Sequence, residues 1–112
     1  MVCRVAAPGL VEAHRKYESQ GVEFISLTPD SHAVADRFVR RFGVPWPVGY
    51  DAGGTIGNWL GSRYPTLVVV GRSGRIVWND GNARRAHAPG PMLKELDRAI
   101  GRALREPASA TR

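Results

Sequence analysis

The run Thr66-Leu-Val-Val-Val70, broken by Gly71-Arg-Ser-Gly74 and resumed as Arg75-Ile-Val-Trp78, constrains this chain more than any other stretch. Two short segments of β-forming residues around a glycine-bounded turn read as a β-hairpin. A loop from Asn79 to Gly90 comes next, and Pro91 then stands at the favoured first position of a helix. In that helix Met92, Leu93, Leu96, Ala99, Ile100 and Ala103 recur at helical spacing. A helix with one apolar face has to bury it against a sheet, so the hairpin belongs to a layered α/β domain.

The upstream half repeats the theme. Leu10, Val11, Ala13, His14 and Tyr17 predict a helix over residues 4–19, which Pro8 should kink or delay and Gly21 should stop. Val22-Glu-Phe-Ile-Ser-Leu-Thr28 is short and rich in β-formers, which predicts a buried strand. Pro29-Asp30-Ser31 supplies turn and N-cap chemistry. The next helix, 31–42, presents Val34, Ala35, Phe38, Val39 and Phe42 on one side and its arginines on the other, and Gly43 ends it. Val44-Pro-Trp-Pro-Val48 reads as an extended connection, because two prolines cannot donate to a central ladder. It leads to a short helix near 54–60, with Ile56, Trp59 and Leu60 inward. The order is helix, strand, helix, short helix, hairpin, helix. Three strands make a thin sheet for four helices, and a strand is missing.

With 112 residues the chain is one domain over 1–105, followed by a frayed tail, 106–112. No apolar run reaches the roughly 18 residues that span a bilayer, and no charged-then-apolar leader opens the chain. The net charge is +6. Its sources, among them Arg37, Arg40, Arg41, Arg84, Arg85, Arg98, Arg102 and Arg105, are scattered over the polar sides of helices. A nucleic-acid site would gather them on one face beside stacking aromatics, so no nucleic acid is expected as a partner. The single cysteine, Cys3, excludes an internal disulfide framework. The three histidines do not cluster at metal-ligand spacing, and neither cofactor nor metal is expected. His14 falls on its helix's apolar side and reads as a packed histidine; His32 and His87 receive no role.

Three local features carry a family resemblance. Cys3-Arg-Val-Ala-Ala-Pro8 at the head of a helix resembles the C-R-x-E-x-P run holding the second cysteine of C-x-x-C in TlpA-like thiol-disulfide oxidoreductases. Gln20-Gly-Val-Glu-Phe-Ile-Ser-Leu-Thr-Pro-Asp30 resembles the strand after that helix. Phe42-Gly-Val-Pro-Trp-Pro-Val48, Tyr64-Pro65-Thr66, Val69 and Gly74-Arg-Ile-Val77 resemble that family's F-G-V-x-x-P-V, P-T and D-G-x-I-V segments. Together they cover about residues 3–104.

The resemblance implies a thioredoxin-like α/β fold lacking its first, central strand. It makes Cys3 the resolving thiol of a disulfide-exchange site at a helix N-terminus, where negative charge is favoured. Pro65 would be cis and face the cysteine pair, with Tyr64 and Thr66 bordering a substrate groove. Protein thiols or disulfides and a redox partner protein would be the partners, outside the cytoplasm, with any membrane anchor upstream of Met1. Two departures stand out: Ala6 replaces the family's glutamate, and the nucleophilic cysteine would precede Met1. The competing readings are a peroxiredoxin-like thiol peroxidase using Cys3 alone and a non-catalytic thioredoxin-like binding module.

The missing strand would lie between those at 22–28 and 66–70, leaving a gap of about 9–10 Å and two edges with unpaired backbone. Because the first cysteine of C-x-x-C would precede Met1, activity is not expected of residues 1–112 alone, and the missing strand makes stable folding unexpected as well. In a thermal melt they should show no sharp monomeric transition, whereas a chain extended upstream by enough residues to supply a strand should show one.

Overall fold

The computed structural model describes residues 2–50, 67–80 and 89–107, and the chain divides into two compact units, residues 3–62 and 63–112. The first unit holds helix α1 (Val2–Tyr17), strand β1 (Ser26–Leu27), helix α2 (His32–Phe42) and strand β2 (Val48–Gly49). The second holds strands β3 (Val68–Val70) and β4 (Ile76–Asn79) and helix α3 (Pro89–Arg105). The expected short helix near 54–60, with Ile56, Trp59 and Leu60, lies outside the described residues, as do His87 and residues 108–112 of the tail.

In the first unit, α1 starts at Val2 and runs through Pro8 without a late start. Arg15 and Lys16 lie in its last turn, where cations oppose the negative end of the helix dipole. A 3-10 turn, Glu18–Gln20, finishes it, and Gly21 closes the turn at φ 84°, a left-handed conformation that suits glycine. Ser31 caps α2 as expected, its Oγ accepting from the Val34 amide at 3.4 Å. Gly43 at φ 62° ends the helix, and the Val44 amide donates back to the Val39 carbonyl at 3.1 Å.

The strand expected over 22–28 is only two residues long, and it is not buried. It is defined by a parallel partner that the sequence pattern does not announce: Ser26 sits opposite Val48 and Leu27 opposite Gly49. The prolines at 45 and 47 prevent donation, but they do not prevent acceptance. The Ser26 amide donates to the Pro47 carbonyl at 3.0 Å, and the Thr28 amide to the Gly49 carbonyl at 2.9 Å. The segment expected to be a mere connection therefore ends in a strand. Because Pro47 carries no N–H, the pairing cannot extend toward Pro45. Such a ladder is about 7 Å long, against about 16 Å for an eleven-residue helix. It is too short to cover what the pattern predicts as buried: Ile25 is 70% exposed, and Leu27 and Val34 are also exposed. Ala35 is the buried residue of α2, while Phe38 and Phe42 pack on each other with centroids 4.8 Å apart.

The second unit is the expected hairpin with a helix laid on it. Val68, Val69 and Val70 face Asn79, Trp78 and Ile76 in antiparallel register, with an irregularity between Val69 and Val70. The turn is closed by the Gly71 amide donating to the Arg75 carbonyl (2.9 Å) and the Gly74 amide to the Gly71 carbonyl (3.0 Å), with Gly74 at φ 86°. Helix α3 opens at Pro89, two residues before the expected Pro91; both prolines fall in the first turn, where helix N–H groups lack partners anyway. Met92, Leu96, Ala99 and Ile100 are buried as the stripe predicts. Neither β1 nor β3 has a second ladder partner among the described residues.

Beyond the helix, the Glu106 amide donates to the Ala103 carbonyl at 3.2 Å, and its side chain lies against Gly71. A methyl group on Gly71 would collide with the Glu106 carboxylate and press on the Val77 methyl at 3.0 Å. Gly71→Ala should therefore speed exchange of the hairpin amides, and Glu106→Ala should restore most of the loss, as measured by hydrogen exchange on the single and double variants. In the first unit, the Trp46 indole N–H donates to the Ser26 hydroxyl at 2.7 Å. Trp46→Phe should cost about 1–2 kcal/mol, seen as roughly tenfold faster exchange of the Ser26 and Thr28 amides. A Ser26→Ala background should shrink that effect.

Candidate functional site

The backbone places Cys3 as the second residue of α1, inside the first turn. There the leading N–H groups have no intrahelical acceptors and the helix carries its positive end. No acidic residue shares that turn, so no fixed negative charge of the turn offsets the field.

One turn further along, the helix is small, apolar and closed to solvent. Ala6 and Ala7 are each only 2% exposed. At the position where the resembled family has a glutamate, this protein has a buried methyl group. A carboxylate relay from that position is absent.

The far end of α1 is anchored by aromatic contacts. Tyr17 is buried, and the His14 ring packs against Phe24 (centroids 5.3 Å, edge-on) and Trp46 (5.4 Å), which touch each other at 5.2 Å. The His14 side chain is 16% exposed and lies 3.9 Å from the Glu18 carboxylate across one helical turn. His14 is thus the packed histidine that its position on the helix predicts. Trp46 is buried too, which is why its indole N–H needs the Ser26 hydroxyl as an acceptor. Through this cluster the helix that carries Cys3 is fixed to the segment entering β1 and to the connection entering β2.

The expected groove residues Tyr64, Pro65 and Thr66 lie outside the described residues, as does the bond expected to be cis. One pairing has no counterpart in the sequence pattern: the His32 and Tyr50 rings stack at 4.4 Å with an 11° interplanar angle, on the surface. Their only sequence signal is that each adjoins an element end, Ser31 before α2 and Gly49 at the end of β2, and neither fact predicts contact. Among the described residues no group of three or more His, Cys, Asp or Glu could hold a metal ion. No described helix is long and apolar enough to cross a membrane.

Comparison with known proteins agrees with this geometry. The sequence model of the Redoxin family matches residues 2–100. The chain is 32% identical over 77 residues to the thiol-disulfide oxidoreductases ResA of Bacillus thuringiensis (strain Al Hakam) and Bacillus anthracis. It is 30% identical over 77 residues to ResA of Halalkalibacterium halodurans. Each match covers 67% of this chain and 44% of the relative, so the matched part spans less than half the length of these curated relatives. ResA proteins are TlpA-like, which agrees with the resemblance carried by Cys3-Arg4 through Val77. Because the family match runs from the first turn of α1 into α3, the chain belongs to the Redoxin family, with a mixed α/β, thioredoxin-like fold.

Proposed function

We propose that this chain serves thiol–disulfide exchange, with Cys3 as its reacting sulfur. The observation that carries the reading is the place of Cys3 in the first turn of a sixteen-residue helix, in a chain of the Redoxin family. A thiolate there attacks one sulfur of a disulfide. The new S–S bond forms as the old one breaks, and the displaced sulfur leaves as a thiolate that takes a proton from water. In the resolving role, the disulfide attacked is a mixed one between a substrate sulfur and a second thiol. Residues 1–112 contain a single cysteine, so within them the chemistry stops at one mixed disulfide; turnover needs a second thiol from outside these residues.

The substrates would be protein thiols or disulfides, in keeping with the name of the ResA relatives. Tyr64, Pro65 and Thr66 would border the groove that receives an extended substrate segment. A redox partner protein would reset the thiol.

Residues 1–112 incubated with oxidised glutathione should form one adduct by intact mass, located at Cys3 and lost in Cys3→Ser. No catalytic reduction of a protein disulfide should accompany it. Catalytic reduction by residues 1–112 would show that one thiol suffices. Peroxide consumption that depends on Cys3 would replace this reading with the thiol-peroxidase one. A Cys3 that never forms an adduct, in residues 1–112 or in the chain extended upstream, would remove the redox role altogether.

A further inference from the structure

Helix α3 carries a feature that its packing does not use. Lys94, Arg98, Arg102 and Arg105 are all exposed. At 100° and 1.5 Å per residue they fall in an arc of about 80° and extend about 16 Å along the helix. The buried residues Met92, Leu96, Ala99 and Ile100 lie on the opposite side. Among the described residues none of these four cations makes an ion pair, whereas Arg15 pairs with Glu12 and Arg40 with Asp36.

The acids nearby reduce the charge of the row without cancelling it, since four cations face two flanking carboxylates. Glu95 and Asp97 fall to either side of it and already have interactions of their own. Glu106 turns inward, its Oε1 buried beside Gly71. Dipole compensation accounts for Arg102 and Arg105 in the last turn, but not for Lys94 and Arg98 further up the helix. The Arg105 guanidinium folds back over Gly101, to within 3.4 Å of where a Cβ would stand, so its charge sits in the row rather than beyond the helix end.

We infer that this row is an electrostatic docking face for anionic phospholipid headgroups. A straight row on the outside of a helix touches a flat charged surface at every position. The row holds no exposed aromatic or aliphatic anchor of the kind that dominates protein–protein interfaces. Helix α3 contains no Phe, Tyr or Trp on which single-stranded bases would stack. What remains is charge alone, which suits a headgroup surface that attracts basic residues without inserting them. The face is independent of Cys3.

The chain should co-sediment with mixed phosphatidylcholine–phosphatidylglycerol vesicles at low salt, and not with phosphatidylcholine alone. Added salt should release it. Each charge removed should weaken partitioning about fivefold, so Arg98→Gln with Arg102→Gln should lose about twenty- to thirtyfold. Arg98→Lys with Arg102→Lys should keep binding; this pair holds the charge and separates a charge effect from a folding defect. Arg37→Gln with Arg41→Gln on α2 should bind as the parent does. Binding to neutral vesicles, or an equal loss from the α2 pair, would overturn the inference. So would failure to bind the mixed vesicles, or tighter binding to duplex DNA at the same salt.

Discussion

The hydrogen bond from the Trp46 indole to the Ser26 hydroxyl ties together the two segments whose ladder is the shortest described element of the first unit. The ladder beside it joins two residues to two, and a two-stranded pair of that size is marginal by itself. Trp46 adds a side-chain bond across the same junction. It also places its ring against Phe24 and His14, so one residue links both strand segments to the helix that bears Cys3. The prolines on either side fix the backbone φ at positions 45 and 47, which limits where the indole can point before any contact forms.

Much of this architecture is readable in the chain. Glycine at positions 21, 43 and 74 adopts the left-handed conformations that helix ends and a tight turn call for, and the hairpin and the buried stripe of α3 are direct consequences of spacing. Strand β2 is hidden because proline argues against pairing, although it removes only the donor; the Pro47 carbonyl accepts from Ser26. The composition of Val22–Thr28 overstates its burial for a related reason. β-propensity describes a residue that fits a covered sheet, and with a two-residue ladder Ile25 and Leu27 remain exposed. Val34 is exposed on the same account, since an apolar stripe specifies a side and does not supply the surface to cover it.

The candidate site is legible where it depends on chain position and illegible where it depends on contacts. A cysteine followed by a helical pattern places itself at a helix start, and the structure has it there. The histidine near the end of α1 is legible as packed, but its neighbours Phe24 and Trp46 come from segments whose approach depends on the hidden β2. The stacking of His32 on Tyr50 has the same origin: Tyr50 comes directly after β2, and β2 is paired with β1, the strand that leads to α2.

The parallel register of β1 and β2 has a kinetic side. Parallel strands cannot be joined by a tight turn, so a loop with a sequence separation of 20 between Ser26 and Trp46 must be brought to closure before their bond forms. Most of that interval is α2, a helix capped at both ends by its own sequence and able to form locally. Once α2 is wound, the flexible part of the crossover shrinks to the few residues around Thr28–Asp30 and Gly43–Pro45. The Ser31 cap and the Gly43 stop therefore set how quickly the indole finds its hydroxyl, although neither residue touches it.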